Sequence, residues 1–199
     1  MTARLVVLIS GTGSNAADLL TRLTDPDNGV DGTVVAMGSD LDAPGLRFAT
    51  ERDIPTFVVP LERGAQREEW GERLITAIDA HSPDLVILSG FMRLLPANVV
   101  AHYSPNLWNT HPAYLPEFPG AHAVADAMAA GVTETGASVI AVDEGVDTGE
   151  ILAQRRVSIV PGDTEESVHE RIKAVERELL FQLVREFCDQ HHAKESSHA

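Results

Sequence analysis

The chain has 199 residues and is short of cysteine, of positive charge and of aromatic side chains. Its single cysteine, Cys188, can close no intramolecular disulfide and build no thiolate metal centre. That excludes a disulfide-stapled scaffold and points to a reducing compartment. Lysine and arginine number 15 against 30 aspartates and glutamates, a formal net charge of −15. Such a balance argues against a bulk electrostatic grip on nucleic acid or on an anionic bilayer, both of which need clustered cations. No stretch approaches the ~20 apolar residues of a membrane span. The N-terminal run Leu5–Ile9 is shorter than a secretory hydrophobic region and meets a glycine turn at once. The chain is nevertheless 44 % hydrophobic, too apolar for a disordered polymer. These features predict one soluble, acidic, cytoplasmic globular domain with a sizeable core.

The first half alternates buried-strand runs with amphipathic stretches. Arg4–Ser10 is a continuous β-branched run, as expected of a strand covered on both faces. Ala16–Leu23 is helical in composition, with Asn15 as its expected N-cap. Thr33–Ser39 reads as a strand, Gly45–Arg52 as a helix and Thr56–Val59 as a third strand. Arg67–His81 carries Trp70, Leu74, Ile75 and Ile78 at helical spacing, and Leu85–Leu88 follows as a fourth strand. This order implies a doubly wound α/β domain with a mostly parallel sheet. In the second half, Asn106–Thr110, Ala137–Val142 and Ile151–Ile159 read as strands, the last two forming an antiparallel edge excursion. Ala123–Ala130 and Glu165–Phe187 read as helices, and residues 189–199 as a frayed tail rich in histidine (His191, His192, His198) and serine.

Three segments carry chemistry. Gly11-Thr12-Gly13-Ser14-Asn15 joins a strand to a helix, where backbone N–H groups and the helix N-terminus can receive an anion. It matches neither the dinucleotide glycine pattern nor a P-loop, so a phosphate cradle and a plain capped turn both remain open. If phosphate binds, a lone group suits the loop better than a pyrophosphate. In Asn109-Thr110-His111-Pro112, extended backbone would put Asn109 and His111 on one face, an amide donor beside a proton donor. An isolated Asn-x-His is more often a hydrogen-bonded loop, so it needs a third partner. Asp147, in the tight, mobile loop Asp143-Glu144-Gly145-Val146-Asp147-Thr148-Gly149, is the candidate, because a nearby carboxylate favours the cationic imidazole. The same acids do not match a calcium loop, and a solvated acidic turn is the bland alternative.

In combination these pieces resemble the phosphoribosylglycinamide formyltransferase family. The likeness runs from Leu5 to about Leu180. It is carried by Leu8–Asn15, Ser89–Leu95, Asn109–Pro112 with Leu115-Pro116 and Pro119-Gly120, Gly136–Val139, Asp147–Gly149 and Gly162-Asp163. The resemblance implies the formyltransferase fold and transfer of a formyl group from 10-formyltetrahydrofolate, as co-substrate, to the amine of phosphoribosylglycinamide in purine (IMP) biosynthesis, with no metal required. It places Asn109, His111 and Asp147 as the catalytic trio. Thr12, Gly13, Ser14 and Asn15, with Lys173 and Glu176, would hold the ribonucleotide. Arg67, Met92, Arg93, Leu94, Leu95, Asn109 and the loop residues Asp143, Glu144, Gly145, Val146 and Asp147 would hold the folate, Arg67 and Arg93 reaching its glutamate carboxylate. The partners expected are these small molecules, with no nucleic acid or membrane, and a monomer or homodimer.

This sequence departs from the family pattern at Lys173, often Gln, and at Thr148, often a second Gly, which bears on the loop's conformation. Relatives with the same trio offer alternatives. Methionyl-tRNA formyltransferase would need basic surface, formyltetrahydrofolate hydrolase a further N-terminal domain, and sugar N-formyltransferases a nucleotide-sugar site. A non-catalytic phosphate-ligand module would leave the trio without a purpose.

Overall fold

The computed structural model describes residues 2–196. The apolar run at the N-terminus forms β1 (Ala3–Ile9), which lies in the interior of a seven-stranded sheet. β2 (Gly32–Ser39) and β3 (Thr56–Val58) lie on one side of it. On the other side come β4 (Leu85–Leu88), β5 (Leu107–His111), β6 (Glu134–Ala141) and β7 (Ile151–Ser158). The spatial order is β3-β2-β1-β4-β5-β6-β7. Pairs from β3 through β5 are parallel, and β5·β6 and β6·β7 are antiparallel. The predicted fold class, including its antiparallel edge, is the one observed.

Alternation along β1 explains the two layers of helices. Leu5, Val7 and Ile9 face a core completed by α1 (Ser14–Thr24), α2 (Arg47–Thr50), α5 (Ala123–Ala129) and α6 (Glu165–Ser196). Val6 and Leu8 face the opposite core, built on Trp70, Leu74 and Ile78 of α3 (Arg67–Asp79) and Val99 and Val100 of α4 (Ala97–Tyr103). The chain leaves β1 toward β2 and β3, then returns to β4 on the other side. At such a switch point the loops beyond the strand ends diverge and leave a crevice for ligands.

Three local readings are corrected. Asn15 does not cap α1: Gly13 occupies the N-cap in the left-handed region, φ 67°, and Asn15 lies inside the first turn. Gly13 is required there, because a Cβ would stand 3.0 Å from the Cα of Gly45. The expected helix Gly45–Arg52 is a short 3-10 turn, Pro44–Leu46, followed by the single turn of α2. The tail expected to fray from 189 instead continues α6 through Ser196. Cys188 is buried, Phe187 meets Trp108 edge to face at 5.6 Å, and His191 stacks on Phe187 and approaches Asp84 at 3.6 Å. His198 lies outside the described residues. The α4 turn, capped by Pro96, has too short an apolar pattern to stand out in the sequence.

Candidate active site

The glycine loop sits at the carboxyl end of β1. The first N–H groups of a helix have no partner within it, so the turn into α1 presents unpaired donors together with the positive end of the helix dipole. Asn15 reaches across to α6, where its Nδ2 donates to Glu176 Oε2 at 2.8 Å. Arg177 Nε donates to Asn15 Oδ1 at 3.0 Å. Glu176 is 4 % exposed, and burial pushes its carboxyl up to about 7 against the opposing pull of Asn15, Lys173 and Arg177. Lys173, one turn earlier, pairs with Glu170 at 2.7 Å. Thr12 is exposed at the top of the turn. All the residues expected to hold the ribonucleotide therefore lie on the loop, on α1 or on α6.

On the other side of the switch point is a cleft of about 280 Å³. Its lining includes Met92, Arg93, Leu94 and Leu95 from the segment after β4, Asn109 and His111 from β5, and Asp143, Gly145, Val146 and Asp147 from the β6–β7 loop. Of the residues expected to hold folate, Glu144 and Arg67 are not part of that lining. Asn109 and His111 are both in β5 two positions apart, so the strand aims them at the same wall. His111 is buried, and its Nε2 contacts the Phe118 carbonyl at 2.9 Å. A carbonyl can only accept, so Nε2 carries the hydrogen and Nδ1 is the nitrogen that faces Asp147 Oδ2, 3.3 Å away. Asp147 Oδ2 also accepts from the Gly120 N–H at 2.8 Å, and Asp147 Oδ1 lies 3.5 Å from Asn109 Nδ2. One carboxylate thus touches both other members of the trio and pins the proline-rich turn beside them.

The loop that carries Asp147 is braced from within. Asp143 Oδ1 accepts from the Gly145 N–H at 3.0 Å, and Asp143 accepts the Thr148 hydroxyl at 2.8 Å. Thr148 therefore closes the turn, and the Asp143 carboxylate is engaged inside the loop. Asp147 itself takes a positive φ of 53°, a strained choice for a residue with a side chain.

The arginines are engaged otherwise than expected. Arg93 Nε pairs with Asp40 Oδ2 at 2.6 Å, and Asp40 is almost fully buried. Ser10 Oγ donates to Asp40 Oδ1 at 2.6 Å and accepts from the Met92 N–H at 2.8 Å. Arg67, at the start of α3, donates to the Leu94 carbonyl and so supports the cleft wall from behind. Sequence reasoning missed Asp40 and Ser10 as site residues, although both are polar side chains directly after the ends of adjacent parallel strands. It also missed Phe118 and Gly120, which act through backbone groups and leave no mark in side-chain chemistry. Among the described residues, no group of three or more His, Cys, Asp or Glu could hold a metal ion. No helix among them is long and apolar enough to cross a membrane.

The formyl transferase family model matches residues 3–184. Phosphoribosylglycinamide formyltransferase of Mycobacterium tuberculosis is 48 % identical over 183 residues, spanning 92 % of this chain and 83 % of that protein. The crystal structure of glycinamide ribonucleotide transformylase 1 from Symbiobacterium toebii superposes with a TM-score of 0.89 at 32 % identity, covering 95 % of this chain and 89 % of that one. A formyltetrahydrofolate deformylase from Pseudomonas syringae superposes with a TM-score of 0.85 at 28 % identity, covering 96 % of this chain and 62 % of that one.

Proposed function

The chain belongs to the formyl transferase family, as a phosphoribosylglycinamide formyltransferase, and from that premise we propose how its site works. It is an enzyme of purine biosynthesis that formylates the amine of phosphoribosylglycinamide, and the donor we propose is 10-formyltetrahydrofolate. The phosphate rests on the amides at the start of α1, the ribonucleotide extends toward Asn15 and Glu176, and the folate occupies the cleft between the 92–95 segment and the β6–β7 loop. The observation that carries this reading is the convergence of Asn109, His111 and Asp147 on one cleft wall, across the switch point from the glycine loop.

The amine nitrogen attacks the formyl carbon, and negative charge develops on the formyl oxygen. Asn109 Nδ2, 3.5 Å from Asp147 Oδ1, turns to donate to that oxygen. His111 keeps its Nε2–H on Phe118 and presents to the site the Nδ1 edge that it shares with Asp147. As the carbon–N10 bond breaks, one amine proton passes to N10 through a water held by Asp147, giving the formylated ribonucleotide and tetrahydrofolate. Preorganised donors of this kind are each worth ~10²–10³ in turnover. The protein supplies no nucleophile of its own in this scheme.

The test is turnover of 10-formyltetrahydrofolate followed with and without phosphoribosylglycinamide. Formyl transfer that requires the ribonucleotide supports the reading. Consumption of the donor by water alone would identify a hydrolase, and binding without turnover a non-catalytic module.

A further inference from the structure

Asn15 ties the glycine loop to α6 through two hydrogen bonds of fixed polarity. Its Oδ1 accepts from Arg177 Nε at 3.0 Å and its Nδ2 donates to Glu176 Oε2 at 2.8 Å. A guanidinium offers no acceptor, so the amide oxygen must face Arg177 and the amide nitrogen must face Glu176. We propose that Arg177 is a positioning residue for ribonucleotide recognition, locking the Asn15 amide and, through it, the first turn of α1 against Glu176. The inference rests on the reading of the glycine loop and Glu176 as the ribonucleotide site.

Arg177 follows Glu176 directly on α6, so the helix grips one amide with two consecutive side chains. Without Arg177 the amide oxygen loses its donor and the group is free to turn over. An oxygen would then oppose the Glu176 carboxylate, acceptor against acceptor, and the loop would lose its link to α6. The Arg177 charge matters as well. The cations that act on Glu176 are Lys173 and Arg177, both from α6, while α1 contributes the neutral Asn15 amide. The core-facing residues of this stretch of α6, Ile172, Leu179 and Leu180, and those of α1 in the same core, Ala16, Leu19 and Leu20, carry no charge. Removing Arg177 therefore makes Glu176 hold its proton to higher pH.

Two variants of the full chain test this: Arg177→Met, which keeps much of the stem but neither charge nor donor, and Arg177→Lys, which keeps the charge. Steady-state kinetics with both substrates between pH 6 and 9 are paired with thermal melts. For Arg177→Met the expected KM for the ribonucleotide rises about tenfold, equivalent to ~1.4 kcal/mol. The expected kcat and the KM for the formyl donor stay within about twofold, since a lost positioning contact weakens ground-state and transition-state binding alike. The pH at which the ribonucleotide KM changes moves upward in Arg177→Met, and Arg177→Lys returns it toward wild type. An unchanged ribonucleotide KM and pH profile would overturn the proposal. So would equal losses for both substrates alongside a lowered melting temperature, which mark a merely structural role. A wild-type protein inert toward the ribonucleotide would overturn the functional reading itself, and with it this inference.

Discussion

Glu176 gives the sharpest quantitative expectation, because it is a carboxyl with almost no access to water at the place proposed for the ribonucleotide. Burial holds it near 7 in the folded chain, whereas its ordinary value is 4.5. The folded state therefore binds this proton more tightly than the unfolded state does. The sign follows: Glu176 contributes stability that is fully present below about pH 4.5 and is lost as pH rises through about 7. The gap corresponds to about 3 kcal/mol. Glu176→Gln keeps the shape and an oxygen for the Asn15 N–H but removes the proton equilibrium. Denaturant unfolding of the wild type and Glu176→Gln from pH 4.5 to 8.5 reads the effect as the difference between the two curves. His169, which burial and Lys173 push below its ordinary value, titrates in both proteins and cancels. Asp163, held down to about 2 chiefly by Arg171, lies below the window. Relative to the wild type, the Gln variant should gain about 3 kcal/mol between the two ends of the range. A difference that stays flat with pH would refute the argument that desolvation dominates at this carboxyl.

Three further expectations follow from the geometry. Asn109→Ala, His111→Ala and Asp147→Ala should each lose ~10²–10³ in turnover while retaining native circular dichroism; near-wild-type turnover of Asp147→Ala would sink its assigned role. Gly13→Ala forces a side chain into a left-handed position beside Gly45. It should cost roughly 1–2 kcal/mol in urea unfolding and weaken ribonucleotide binding, measured by calorimetry. Trp70→Phe removes the indole N–H that serves the buried Val59 carbonyl at 2.9 Å, and should lower stability by about 1–3 kcal/mol in denaturant unfolding without changing the KM for either substrate.

Much of the fold was legible because buried parallel strands leave unbroken apolar runs. Leu5–Ile9 and Leu85–Leu88 could be little else. Asn109 and His111 were legible as a same-face pair because strand periodicity is two, and Asp147 because it stands in a short acidic loop between strand runs. The Asn15 cap was misread for a physical reason. Asparagine is a good cap in general, but here the turn needs a left-handed residue, which Gly13 supplies, and the Asn15 amide serves α6 instead. The continuation of α6 was missed because its last turns are polar. They are held by Phe187 and His191 against Trp108 and Asp84, contacts across the chain that no local pattern announces. Asp40 was missed likewise: one more acid among thirty gives no sign that it will be buried beneath Arg93.

The bridge from Met92 through Ser10 to Asp40 and Arg93 has a consequence for how the two ligands behave together. Ser10 begins the loop assigned to the phosphate, and Met92 and Arg93 belong to the wall assigned to the folate. A ligand that stiffens one end restricts the other through hydrogen bonds with little slack, so part of the ordering entropy for both is lost only once. Such coupling is reciprocal: whatever factor the ribonucleotide adds to folate affinity, folate must return to the ribonucleotide. Heterotropic cooperativity would then be a property of three side chains just beyond the carboxyl ends of interior strands, arising before any chemistry begins.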